Sequence, residues 1–362
     1  MRHYHIITCD SPDVLGQFDH SGWAGVRPIT YAHGARRPVQ MNWDILADLA
    51  RVRSGDFVVL HSQGLLKGVY EAGSSFLVPD ADADLFDGPT LLKSAWEAKG
   101  DDLRLHQQEY RWWLKLSPSD YYFQEYAPVE GLFSLIADGT IRTLPQRLRY
   151  EDKNKTVKGL HKYDFSRVVD VLLSANPVGT TAYSSEGHPF GAANTPPFRE
   201  LSFVLTEDGY EKNLEAVLVH TLRTQAERFR DAVGQVDCVL NTLPLGYLGM
   251  ADIVTWATMP YPNWYEHVYN LTVWELKARP LARDLIVDVA ESQLLRYLNE
   301  VTRLFPPFVS VSHILQGVMV GAPPTASLEE NVLPSGHAHR LTVLTFTVGE
   351  DQRLDLVRVL SR

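Results

Sequence analysis

In VWELKA, Glu275 and Lys277 stand two residues apart, inside a run that includes Leu271, Val273, Leu276 and Ala278. On a strand that spacing sends both side chains to one face. A half-buried carboxylate has to be paired, hydrogen-bonded or bound to a metal. The preceding strand-like segment, GMADIVTW, offers a second carboxylate, Asp252. If the two segments pair as a hairpin, the two acids approach each other. Facing carboxylates repel unless they share a proton or a cation, and a hard divalent cation, Mg²⁺ or Mn²⁺, suits oxygen ligands. Beside it, Lys277 would orient an attacking water, help deprotonate it, or stabilise charge developing on a phosphorane. The chemistry that fits is phosphodiester hydrolysis.

A Glu–Lys pair at this spacing is more often a surface pair, so its company decides the matter. Glu215 lies on a helical segment upstream, and Gln293 and Tyr297 lie on the helical segment that follows.

The elements that must position these residues can be followed along the chain. EKNLEAVLVHTLRTQAERF places Leu214, Val217, Leu218, Leu222 and Phe229 near one helical face. Strand patterns follow at VDCVLN, LGMADIVTWA and YNLTVWELKA, and a helix at VAESQLLRYLNEVTRLF stops before Pro306 and Pro307. SVSHILQGVMVG and HRLTVLTFTV add two strands. The order helix, three strands, helix, two strands predicts an α/β or α+β unit around a mixed sheet. Before residue 170 the texture is different. MRHYHIITCD, FVVL, LLKGVY and EYRWWLKLSP are short strands with turn punctuation, and NWDILADLARV is helical. That pattern predicts a small β-barrel with flanking helices. Residues 171–205, rich in Gly, Pro, Ser, Thr and Asn from residue 175, form the expected linker or ordered loop. The expected units are therefore 1–170 and 206–362.

The ordered set NLEAVLVHTL, GMADIV, VWELKA and ESQLLRYL resembles the PD-(D/E)xK nuclease superfamily, and within it the NucS-type endonucleases, over roughly residues 207–350. The resemblance implies Asp252 and Glu275 as metal ligands and Lys277 as the catalytic lysine. It matches Glu215 to the acidic residue of the first helix, completing the ligand set, and Gln293 to the glutamine that follows the ExK strand. One departure is the 22 residues between Asp252 and Glu275, which include TMPYPNWYEH: an extended hairpin wedge or a longer capped turn. The N-terminal part resembles PUA or EVE-type domains through SGDFVVLHSQGLLKGVYEAG and EYRWWLKL. That likeness implies a pocket able to hold a flipped base against aromatic walls. Trp23, Trp43, Tyr70, Trp112 and Trp113 are the candidate rings. Adjacent Trp112 and Trp113 point to opposite faces of a strand, which assigns at least one to the core.

Composition sets the outer bounds. Hydrophobic residues make up 45% and charged residues 22% of 362, as in ordinary globular proteins, and the net charge is −10. One local patch runs the other way: Arg142 to Arg167 carries eight Lys or Arg against three acids. Arg147, Arg149, Lys153 and Lys155 within it would contact phosphates, or simply decorate a solvated loop. Two cysteines, Cys9 and Cys238, supply neither a disulfide framework nor a cysteine-rich metal site. The pairs His3/His5 and His337/His339 read as surface residues, and Asp284 and Asp288 as helix-entry acids. No P-loop signature, long apolar run or signal-like N-terminus occurs, so the expectation is a cytoplasmic protein without a membrane partner. Taken together, the sequence predicts a metal-dependent DNA endonuclease, in defence against modified DNA, with an N-terminal base reader and a homodimeric state. The rivals are a repair nuclease acting on mismatched, branched or single-stranded DNA, and a non-catalytic nucleic-acid binder. RNA also stays open as a substrate.

Overall fold

The computed structural model describes residues 2–9, 11–26, 43–77, 112–141, 157–185, 205, 211–245, 248–260, 266–305, 309–311, 315–329, 332–334, 339–349 and 353–362. The chain divides into two compact units after Ser202. Both are mixed α/β, each with one seven-stranded mixed sheet.

The N-terminal unit contains β1 (Tyr4–Thr8), α1 (Pro12–Ser21), β2 (Trp23–Val26), α2 (Trp43–Ala50), β3 (Phe57–Ser62), β4 (Leu65–Leu77), β5 (Trp112–Ser117), β6 (Ala127–Pro128), α3 (Glu130–Ala137), β7 (Val157–Leu160) and α4 (Lys162–Ala175). Its strand order is β2-β5-β4-β3-β1-β7, with β6 added on β4. β1 and β3 run parallel and the other pairs antiparallel. The end strands β2 and β7 do not pair with each other among the described residues, whose sheet is open; the expected closed barrel is not found there. Helices account for the difference. α1 begins at the Ser11 cap, whose hydroxyl accepts the Val14 N–H at 3.2 Å, with Pro12 at the first helical position. α4 begins where the His161 ring accepts the Tyr163 N–H at 3.2 Å. The stretch expected as a linker starts inside α4, which runs to Ala175, and Tyr183 beyond it is buried.

Burial also corrects several residue readings. Trp112 and Trp113 are both 0% exposed, because both faces of β5 are covered; Trp113 meets Phe18 of α1 edge-on at 6.1 Å. Tyr70 and Trp23 are buried as well. None of these four rings offers a free face to a base. The side chain of Trp43, like Arg147, Arg149, Lys153 and Lys155, lies outside the described residues. His3 and His5 are interior rather than surface residues, since β1 sits between β3 and β7, and His5 Nε2 lies 3.0 Å from Asp56 Oδ2.

The C-terminal unit contains α5 (Glu211–Thr224), α6 (Arg230–Val233), β8 (Cys238–Pro244), β9 (Met250–Pro260), β10 (Glu266–Pro280), α7 (Arg283–Val289), a π turn (Ala290–Leu294), α8 (Leu295–Val301), β11 (Val309–Val311), β12 (Leu315–Ala322), β13 (Arg340–Val348) and β14 (Leu354–Ser361). The sheet order is β14-β13-β12-β10-β9-β8, with β11 beside β10. β10, β12 and β13 are mutually parallel, and β8-β9-β10 is an antiparallel meander. The 22-residue spacing between Asp252 and Glu275 is mostly ladder. β9 and β10 pair from Pro260↔Glu266 to Ile253↔Trp274, with one bulge between Tyr269 and Thr272.

The register Val254↔Val273 puts Asp252, Val254, Val273, Glu275 and Lys277 on one face. The core on that face joins Val254, Leu271 and Val273 to Ile286, Val289, Leu294 and Leu298 from the following helical segment. Gly317 allows the close approach: a Cβ there would lie 2.8 Å from Leu341 Cδ2 and 3.4 Å from Leu294 Cβ. α5 packs on β8 and β10.

Candidate active site

Four elements converge on the end of the β9–β10 ladder. Beyond Ile253↔Trp274 the backbone pairing stops. The next inward N–H, that of Leu276, donates instead to Asp252 Oδ2 at 2.8 Å. Asp252 thus substitutes for a ladder partner and keeps one oxygen, Oδ1, turned to the site. Lys277 Nζ donates to Glu275 Oε1 at 2.7 Å and lies 3.7 Å from Glu211 Oε2 in the first turn of α5. Glu275 is only 5% exposed, and its second oxygen, Oε2, is buried without a hydrogen-bond partner among the described residues.

α5 supplies the other half. Glu215 is 0% exposed, and both its oxygens are taken. Oε2 accepts from Lys212 Nζ at 2.6 Å, and Oε1 from Asn241 Nδ2 at 3.1 Å and Thr242 Oγ1 at 3.0 Å. In this structure the Glu215 carboxylate anchors a lysine and the end of β8. Thr242 makes that contact with φ at 48°, a left-handed backbone that a β-branched residue seldom adopts. Lys212 Nζ also lies 3.7 Å from Asp252 Oδ1. Glu211, Lys212, Asn241 and Thr242 were not singled out from sequence. Only the EKNLE pattern carried a signal, because it places Glu211, Lys212 and Glu215 on neighbouring turns of one helix face.

Gln293 sits on the π turn, with its Oε1 buried and unpartnered. Such turns inside α-helices recur at functional sites. One turn on, buried Tyr297 feels the charge of Glu275 and Asp252. The structure therefore brings Glu215, Asp252, Glu275 and Lys277 together, with Gln293 and Tyr297 on the covering helical segment.

The electrostatics follow from setting three buried carboxylates and the half-buried Glu211 beside two ammonium groups. Burial raises the Glu275 carboxyl to about 7, the Asp252 charge adds to the rise, and Lys277 opposes it. Burial raises Glu215 to about 7 as well, against the pull of Lys212. At Lys277, burial acts to lower the ammonium pKa, but Glu275, Glu211 and Asp252 outweigh it and the net shift is upward. Lys277 therefore remains a cation at neutral pH, suited to orienting and stabilising anions rather than removing protons.

The donor set suits a hard cation, since Asp252 Oδ1 and the unpartnered Glu275 Oε2 are both carboxylate oxygens. Among the described residues no three His, Cys, Asp or Glu side chains stand ready-grouped as a metal cage. Two protein carboxylates nonetheless suffice for Mg²⁺, which keeps much of its water. No helix among the described residues is long and apolar enough to cross a membrane. No family model matches the chain, and no curated protein matches it.

Proposed function

We propose that this chain is a metal-dependent endodeoxyribonuclease that hydrolyses phosphodiester bonds at the Asp252–Glu275–Lys277 centre. The reading carries with it a PD-(D/E)xK core for the C-terminal unit, which the position of the three residues on adjacent strands supports. The single observation behind it is Glu275 Oε2, a carboxylate oxygen buried without a partner on the same sheet face as Asp252. A buried polar atom left unpaired is costly, and a cation at this position would remove the cost.

Asp252 and Glu275 would hold Mg²⁺ or Mn²⁺. When bound, the cation supplies Lewis-acid polarisation of the scissile phosphate and a more acidic water. The protein's own contribution is positional. Lys277, tethered to Glu275 Oε1, presents a fixed positive charge to the phosphate oxygens as negative charge builds on them. Gln293 Oε1 is a buried acceptor, without a partner among the described residues, that can accept a hydrogen bond from the attacking water and so orient it. Hydrolysis joins the water oxygen to phosphorus as the bond to the leaving sugar oxygen breaks; the water gives up a proton to solvent and the leaving oxygen takes one from solvent.

The N-terminal unit is the substrate reader in this proposal, in keeping with its likeness to PUA and EVE-type domains. With four of the candidate rings in the core, its exposed aromatics among the described residues are Tyr121, Tyr126 and Phe133. Defence against modified DNA suits one reading unit joined to one cutting unit, and cleavage of both strands calls for a homodimer in the cytoplasm. The test is incubation with Mg²⁺ or Mn²⁺ and a panel of plain, methylated, hydroxymethylated and mismatched duplexes, single strands and RNA. Metal-dependent cutting of a modified duplex is expected. Cutting of mismatched or single-stranded DNA alone would move the function to repair, and binding without cutting would make the chain a non-catalytic binder.

A further inference from the structure

We infer that Lys212 is a built-in counter-cation that competes with a divalent cation for Asp252, so that cation entry displaces its ammonium. The inference rests on the cation site proposed above. It starts from the two oxygens of Asp252. Oδ2 is fixed by the Leu276 N–H at 2.8 Å, which leaves Oδ1 to face a cation, and the positive charge beside Oδ1 is Lys212 at 3.7 Å.

The contacts of Lys212 with the two carboxylates are unequal. At 2.6 Å from Glu215 Oε2 it is anchored; at 3.7 Å from Asp252 it is only near. Glu215 cannot move towards Asp252, because its Oε1 is held by Asn241 and Thr242 and its side chain is wholly interior. The Lys212 side chain, by contrast, is 32% exposed and has room to swing while keeping its anchor. Lys277 is differently placed: 15% exposed and bound at 2.7 Å to Glu275, it pairs with the other acid. Without a cation, Lys212 neutralises part of the carboxylate charge, so the fold does not depend on metal. With one present, two like charges near Oδ1 repel, enough at this distance to move an affinity by an order of magnitude. Lys212 is thus a positioning residue that holds cation affinity down and keeps occupancy responsive to concentration.

The test is Mn²⁺ titration of the full chain without nucleic acid, following the electron paramagnetic resonance signal of free Mn²⁺. Lys212→Met is expected to bind Mn²⁺ about tenfold more tightly than the unaltered protein. Lys212→Arg, which keeps the charge, should stay near the unaltered affinity, and Glu275→Gln should lose the site. Lys212→Met leaves Glu215 without its ammonium, so Lys212→Met/Glu215→Gln serves as the second variant and must show the same tightening. Unchanged affinity in both, with binding abolished by Glu275→Gln, overturns the inference while the cation site stands. Absence of Mn²⁺ binding in the unaltered protein and both Lys212 variants, or full binding by Glu275→Gln, overturns the cation site and this inference with it.

Discussion

Each unit sets a carboxylate among polar partners, and the two centres differ in whether those partners suffice. Asp19, in α1, is fully engaged. Its Oδ1 accepts the Tyr70 hydroxyl at 2.6 Å and the Tyr122 hydroxyl at 2.9 Å, and its Oδ2 faces Lys67 at 3.5 Å. The Tyr183 hydroxyl donates to its backbone carbonyl at 2.9 Å. The three tyrosine rings pack on one another at 4.8–5.5 Å between centroids, and Lys67 lies over Tyr122 and Tyr126 while donating to the Gln124 carbonyl. Burial, reinforced by the Asp19 charge, pushes the Tyr70, Tyr122 and Tyr183 phenols upward, so they remain donors. Glu275 is the opposite case, with one oxygen on Lys277 and the other without a partner among the described residues. A satisfied buried carboxylate braces loops, whereas one with an oxygen to spare is arranged for a guest.

The largest effect that would sharpen this contrast is catalytic. Asp252→Ala or Glu275→Ala should cut the cleavage rate by roughly 10²-fold or more, and Glu275→Gln, which keeps the side chain's shape and an oxygen to accept from Lys277, should still fold. A Glu275→Gln protein that cleaves normally would place the chemistry elsewhere. Next come the tryptophans. Trp112→Ala and Trp113→Ala should each cost about 3–5 kcal/mol of stability, measured by denaturant unfolding. Loss of nucleic-acid affinity at unchanged stability would return that ring to the reading surface. Asp19→Ala should cost about 2–4 kcal/mol yet leave the cleavage rate per folded molecule unchanged. A selective loss of rate would break the division between brace and site.

The smallest effect is the pH dependence. Burial raises Glu215 and Glu275 to about 7 from an ordinary 4.5. Between those values the folded state holds protons that the unfolded chain has released. The contribution of these two groups to stability is therefore fully present below about pH 4.5 and is lost as pH rises to about 7, by on the order of 1–3 kcal/mol per group. Thermal melts of the metal-free protein from pH 4 to 8 should show this fall, and Glu215→Gln should flatten it. Equal slopes in the two proteins would contradict the burial of Glu215.

The legible part of the molecule was the part with one strong period. α5, the β8–β10 meander, the helix after it and strands β12 and β13 formed where apolar spacing called for them, and Asp252, Glu275 and Lys277 met as strand alternation required. Three things were not legible, each for a physical reason. α1 and α4 are each set by a cap, Ser11 and His161, and α4 begins inside the stretch read as a basic loop, so both went unseen; the expected barrel is not found among the described residues. Trp112 and Trp113 face opposite ways, but sequence does not say that both faces are covered. Lys212 reaches Asp252 only because α5 crosses β8 and β10, a contact between elements that no local pattern encodes.

The most direct measurement is single-turnover cleavage of end-labelled modified duplex DNA, with the unaltered protein and Glu275→Gln compared in Mg²⁺ and in EDTA. The predicted result is cutting by the unaltered protein in Mg²⁺ only, and none by Glu275→Gln although it folds and binds the duplex. Equal cutting by both proteins, or cutting that persists in EDTA, would contradict a metal-dependent centre at Asp252, Glu275 and Lys277.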